Sequence, residues 1–222
     1  MTTFALQRSE SDKEKSSLRV ASIKFPEKYN IQYFSKPSEV SKDFVPAGNI
    51  DWVEGVLGKV IKPDYYPEWL KPIWNRNIWY QDTWPMEKGV FVKPSDKHKR
   101  FKATITTGTY KGKKKGPYVC SEVVKFDDDE WRLYISNGEI KYIGWYSEID
   151  KEDVSFCKML LSMYNLNIPE DYCGAMDIGF VDNDLTLVEC NSPYSCGWYG
   201  KLDDGNIYAD WLIEGYKYIK RI

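Results

Sequence analysis

Asp177, Glu189 and Asn191 flank the polar run Asp182-Asn183-Asp184, inside two otherwise apolar stretches, Cys173 to Val181 and Leu185 to Asn191. Apolar runs broken by such a turn read as a β-hairpin. If it closes symmetrically about Asn183, Asp177 lies directly across from Glu189. Alternation then sets Glu189 and Asn191 on one face beside Asp177, with Ile178, Phe180, Val188 and Cys190 on the other. Two carboxylates facing each other in an apolar hairpin repel and lose hydration unless a cation stands between them. Mg²⁺ suits carboxylate and amide oxygens and keeps positions open for phosphate and water. A hairpin whose acids pair with nearby lysines, or face solvent, has the same spacing.

Cationic partners lie upstream. Lys93 ends the apolar run Val90-Phe91-Val92, and Pro94 stops the strand there, leaving the ammonium at its tip. It can reach phosphate oxygens, or serve as an edge lysine that discourages strand addition. Lys102 alternates with Phe101, Ala103 and Ile105 and so faces a ligand or water. The stretch Cys120 to Arg132 (CSEVVKFDDDEWR) runs from an apolar strand through an acidic turn into a second strand. The backbone of Glu122 to Val124 could present a donor and an acceptor to an adenine edge, Glu130 could accept from ribose hydroxyls, and Arg132 adds a fixed cation for phosphate. A solvated acidic turn paired with Arg132 reads the same way. Tyr110 to Gly116 (YKGKKKG) fits a solvated turn better than a phosphate lid, since its spacing matches no P-loop.

The elements that must hold these groups are mostly strands: Gly89 to Lys93, Arg100 to Thr107, Tyr118 to Val124, Glu130 to Ser136 and Glu139 to Tyr146, with Asn137-Gly138 as a two-residue hairpin turn. Asp150 to Leu166 reads as a helix capped by Asp150, with Val154, Cys157, Leu161 and Tyr164 along one face. Asn49 to Leu57 begins a helix or strand, and Pro67 to Trp74 a short helix with Pro in its first turn. Residues 1–17, rich in Ser, Glu, Lys and Gln, are expected to be a frayed terminus.

Composition excludes several classes. A chain of 222 residues with 42% hydrophobic content is globular, and a formal charge of -2 gives no overall attraction for nucleic acid or anionic membrane. No apolar stretch approaches a membrane span, and the start lacks the apolar core of a secretory signal, so a cytoplasmic protein is expected. Five cysteines without a CxxC pair exclude a zinc framework, and Cys196 has no neighbouring base to make it a nucleophile. The single histidine, His98, sits in a charged run. Catalysis is therefore expected from carboxylates, lysines, arginines or a cofactor.

In order, VFVKP, SEVV, EWR, MDIGF and LVECN resemble the ATP-grasp superfamily. The segments VPAGNIDWVEGVL, YPEWLKPIWNRNIW and ECNSPYSCGWYG are similar to its clade of small proteins encoded by viruses and bacteria. The resemblance implies an α+β fold: two lobes with antiparallel sheets clamping ATP (87–124 and 125–222), behind a reduced N-terminal region (18–86). It implies Lys93 and Arg132 on the phosphates as catalytic residues, with Lys102 a weaker nucleotide contact. It also implies Glu122 and Val124 at the adenine, Glu130 at the ribose, and Asp177, Glu189 and Asn191 on one or two Mg²⁺. Ser192, Tyr194 and Tyr199 are expected to touch the acceptor. The activity implied is carboxylate-amine (or thiol) ligation through an acyl phosphate, with the host cytoplasm as its place if the gene is viral. A phosphotransferase with a hydroxyl acceptor and a non-catalytic nucleotide-binding module are the other readings.

Overall fold

The computed structural model describes every residue except 9–11, 110–114, 128, 146–158, 160 and 165. Its first unit is a parallel sheet of β1 (Thr2–Gln7), β2 (Tyr29–Phe34) and β3 (Val45–Ala47), ordered β2-β1-β3. The crossover from β1 to β2 is α1 (Lys13–Lys24), whose first turn is closed by Asp12 accepting the Lys15 N–H at 2.8 Å. The sequence predicts fraying over 1–17, yet β1 is the central strand and Phe4, Ala5 and Leu6 are fully buried. The three apolar residues are too few to hold themselves; strands that pair with them arrive 22 or more residues later. After β3 comes α2 (Ile50–Leu57), capped by Asn49 accepting from the Trp52 N–H at 2.9 Å and ended by Gly58 in the left-handed region at φ 69°.

A second sheet is antiparallel: β4 (Ile78–Gln81), β5 (Lys88–Pro94), β6 (Thr104–Thr107) and β7 (Tyr118–Glu122), in the order β4-β7-β5-β6. Because β4 pairs with β7, this sheet crosses the lobe boundary expected at residue 87. The strand expected over Arg100 to Thr107 shortens to its last four residues and its alternation is reversed: Thr106 is buried and Ile105 exposed. The Thr106 hydroxyl explains this, since it accepts the Val90 N–H at 2.9 Å and donates to the Glu87 carbonyl at 2.5 Å.

The third sheet, also antiparallel, joins β8 (Glu130–Ser136), β9 (Glu139–Trp145), β10 (Gly174–Val181) and β11 (Asp184–Asn191) in the order β11-β10-β8-β9. Asn137 (φ 51°) and Gly138 (φ 71°) make the predicted tight turn between β8 and β9. One face carries Trp131, Leu133, Ile135, Met176, Ile178, Leu185 and Leu187 into the main core. The other is divided: Tyr134, Tyr142 and Ala175 pack on the N-terminal unit and on α3 (Gly205–Arg221), while the remainder is polar. Helix α3, unforeseen from the sequence, turns Tyr208, Trp211, Leu212 and Ile219 inward at helical spacing. Its first residue, Gly205, lies against the α1 backbone, where an added Cβ would meet the Ser17 carbonyl at 2.1 Å.

Of the helix predicted over Asp150 to Leu166, only 159, 161–164 and 166 are among the described residues, and of these 159 and 161–163 are helical. Most of the YKGKKKG run likewise lies outside them. Among the described residues no helix is long and apolar enough to cross a membrane.

Candidate active site

Three neighbouring strands bring Arg132 (β8), Asp177 (β10) and Glu189 (β11) into one row across the third sheet. The sequence places Asp177 opposite Glu189 through a turn centred on Asn183, and the pairing is found by a different route. The turn is Asp182-Asn183, both with positive φ (52° and 68°), so Val181 pairs with Asp184 and Ile178 with Leu187. A register shift then leaves Val188 unpaired and restores Asp177 to Glu189. This bulge flips the alternation of β11. Leu185 and Leu187 therefore share the core face with Cys190, and Val188, expected on that face, is only half-buried.

The bulge is held from outside. Arg76 donates through Nη1 to the Leu187 carbonyl at 2.8 Å and through Nη2 to the Val188 carbonyl at 3.0 Å. Asn75 donates to the Leu185 carbonyl at 2.8 Å, and the Cys190 N–H donates to the Tyr65 carbonyl at 2.8 Å. Segment 65–76 thus occupies hydrogen-bonding groups along β11, an edge strand of its sheet.

The charges alternate. Arg132 donates to both Asp177 oxygens, Nε to Oδ1 at 2.7 Å and Nη2 to Oδ2 at 2.6 Å, a bidentate pair between nearly buried side chains. Lys93 reaches across from β5 to pair with Glu189. Asn191 bridges the acids, donating to Asp177 Oδ2 at 3.3 Å and Glu189 Oε1 at 3.1 Å. The ammonium of Lys93 lies 4.7 Å from the centre of the Tyr65 ring and 5.4 Å from that of Phe91. Burial, then repulsion from Arg76, lowers Lys93 to about 8, with Asp177 and Glu130 acting against. Glu130 is raised by burial and by Asp177.

Beside this row opens a cavity of about 670 Å³ between the third sheet, the loop after β5, α2 and the start of α1. Lys93, Lys102, Arg132, Glu189, Asn191, Ser192, Tyr194 and Tyr199, all singled out from the sequence, line it. Tyr199 lies 4.8 Å beneath the Arg132 guanidinium. Tyr194 is buried and donates to Glu54 Oε1 at 3.2 Å, so its hydroxyl is partnered within the protein. Glu122 and Val124 are not in the lining: Glu122 ends β7, its N–H donates to the Asn77 carbonyl at 3.1 Å, and its carboxylate accepts from the Asn77 side chain at 2.7 Å. Cys196 also lines the cavity, but burial pushes its thiol up to about 12, in keeping with an inert apolar role.

The oxygen donors of Asp177, Glu189 and Asn191, which lie within hydrogen-bonding reach of one another, suit a hard divalent ion, and amide rotation would turn Asn191 Oδ1 toward the acids. No group of three or more His, Cys, Asp or Glu among the described residues could hold a metal by those types alone.

Two cavity residues escape the sequence reading. His98 looks like part of a solvated charged run but is buried, and Glu14 comes from a segment expected to fray. Arg76, behind the sheet, had one available signal: a polar WNRN amid an aromatic-rich stretch.

None of the curated proteins compared matches the chain. Among solved structures, D-alanine–D-alanine ligase from Bacillus anthracis is similar at TM-score 0.54 and 12% identity, over 100% of this chain and 99% of that one. N5-carboxyaminoimidazole synthetase from Staphylococcus aureus is similar at TM-score 0.52 and 9% identity, over 95% of this chain and 77% of that one. At such identities the likeness is one of fold. The family model of the ATP-grasp domain, clade family 2, matches residues 70–209, from the 3₁₀ helix that precedes β4 into α3, and the chain belongs to that ATP-grasp family.

Proposed function

We propose that the protein is an ATP-dependent ligase that joins a carboxylate to an amine, or to a thiol, through an acyl phosphate. The observation that carries this reading is the row Arg132, Asp177, Glu189, met from the opposite sheet by Lys93. Two cations and two carboxylates converge where a triphosphate needs charge compensation, and no histidine is needed to transfer phosphate by positioning and neutralisation.

On this reading Lys93 exchanges Glu189 for phosphate oxygens, and its aromatic surround keeps the ammonium at the level of the transferred group. Arg132 keeps two nitrogens on Asp177 and presents its remaining edge to the cavity, fixed from below by Tyr199. Asp177, Glu189 and Asn191 hold Mg²⁺, which when bound neutralises phosphate charge. Glu130, beside Asp177 and Lys93, serves the ribose; Glu122 to Val124, the segment leaving the second sheet, serves the adenine. Lys102 adds a cation at the cavity wall, and Ser192, Tyr194 and Tyr199 border the acceptor. Residues 18–86 act as a reduced N-terminal region that closes the cavity from the α1 and α2 side. The activity belongs to the cytoplasm, that of a host cell for a viral protein.

The test is incubation with ATP, Mg²⁺, the twenty proteinogenic amino acids and a deproteinised cell extract, followed by mass spectrometry. Ligation yields ADP, phosphate and a new amide or thioester, all lost in Glu189→Ala. Phosphate retained on the product would make the protein a phosphotransferase. ATP bound but not consumed would make it a nucleotide-binding module.

A further inference from the structure

His98 Nε2 lies 3.0 Å from Ser192 Oγ, inside the cavity and one residue beyond Asn191. The imidazole is 7% exposed, and its plane is set by edge contacts with Tyr65, centroids 5.4 Å apart, and Tyr194, 6.1 Å apart. Tyr65 is also the ring over which the Lys93 ammonium lies. One aromatic thus spaces the phosphate-binding lysine from the only histidine in the chain. Lys93, Lys99, Tyr65 and Tyr194 are the charged and titratable groups around the ring. Burial and the two lysines hold it down at about 4, so it is neutral near pH 7 and able to accept a proton. When phosphate engages the lysines that repulsion is relieved and the ring becomes a stronger base. Burying a single neutral imidazole against a serine hydroxyl at the edge of the phosphoryl site has no evident purpose in packing alone.

We propose that Ser192 and His98 form a proton relay that deprotonates the incoming amine of the ligation reaction. The proposal rests on the ligase reading and assigns the acceptor end of the cavity to the Ser192 side, with an ammonium as the group received. An ammonium N–H passes its proton to Ser192 Oγ while the Ser192 hydroxyl proton passes to His98 Nε2, leaving a free amine and an imidazolium. The amine lone pair then attacks the acyl-phosphate carbonyl, the C–N bond forms, and the C–O bond to phosphate breaks with its electron pair on phosphate. The second N–H proton leaves on that phosphate, and the imidazolium returns its proton to solvent. His98 acts through Ser192 and is a positioning residue and proton store, not a nucleophile.

Hydroxylamine separates this role from a structural one, because it is largely unprotonated near neutral pH and captures acyl phosphates as hydroxamates without a base. The protein is incubated with ATP, Mg²⁺, the twenty amino acids and deproteinised cell extract, with and without hydroxylamine, and the ratio of amide to hydroxamate is measured. In His98→Gln and Ser192→Ala the ratio falls about 100-fold, the usual scale of a lost general base. In His98→Ala it is partly restored by added imidazole. A ratio that stays at the wild-type value in these variants, even if both products decline together, overturns the relay. Absence of hydroxamate from the wild-type protein with every carboxylate offered overturns the ligase reading itself, and the relay with it.

Discussion

The Arg76 guanidinium donates to the carbonyl of Val188 at 3.0 Å, and Val188 is the residue at which β11 slips one place against β10. Without that slip Glu189 would fall out of line with Asp177, and the row that ends at Arg132 would lose its third member. A residue outside the cavity therefore fixes the geometry inside it. Arg76 also lies 5.3 Å from the centre of the Tyr66 ring, and its charge helps to lower Lys93.

Arg76→Ala is expected to destabilise the protein by roughly 2 kcal/mol, since it leaves half-buried carbonyls without a charged donor. Urea unfolding measures this, and ATP turnover should fall further than the loss of folded protein explains. Arg76→Lys restores charge but not the fork, so it recovers only part of either quantity. Full activity in a destabilised Arg76→Ala would show that the bulge does not need its clamp.

Lys93 gives a dependence on pH with two opposed signs. Its charged form is the one that binds phosphate, so the affinity of the free protein for ATP should weaken as pH rises through about 8. The unfolded chain keeps that proton up to about 10.5, so between those values the native state binds fewer protons and its stability rises with pH. Lys93→Met should remove both slopes and lower turnover by about 100-fold or more. Calorimetric titration with a nonhydrolysable ATP analogue across pH 7 to 9.5 reads the first; an unchanged affinity would exclude Lys93 as the phosphate ligand.

Asn191 touches both acids, which fits it as a neutral third donor to a cation they share. Asn191→Ala should raise the Mg²⁺ concentration for half-maximal turnover about tenfold, and EDTA should abolish turnover in the wild type. Turnover that persists in EDTA would remove the metal from the site.

Phe4 is fully buried in the central strand of the parallel sheet. Phe4→Ala should cost about 3 kcal/mol, the usual scale for an emptied aromatic site, and shift the thermal midpoint accordingly. A silent substitution would return residues 1–8 to the frayed terminus their composition suggests.

Much of the site is legible in the order of residues along the chain. Asp177, Glu189, Asn191, Lys93 and Arg132 announce themselves by being charged or polar within short apolar runs, where desolvation demands a partner. Local rules also gave the Asn137-Gly138 turn, the cap at Asn49 and the existence of most strands. They failed where a contact joins distant residues. His98 reads as surface because its neighbours are Lys97, Lys99 and Arg100; only the approach of Tyr65, Ser192 and Tyr194 buries it.

By itself the sequence determined the chemical inventory: which residues carry charge, which runs alternate as strands, and a motif order similar to the ATP-grasp superfamily. Those properties follow from each residue's own side chain and its near neighbours. The tertiary structure alone decided that Arg132 would claim both oxygens of Asp177, that a bulge clamped by Arg76 would set the pairing, and that residues 2–7 would form a central strand. Each depends on groups tens of residues apart meeting at hydrogen-bond distance, and the free energy of such a meeting is not written in any one stretch of chain.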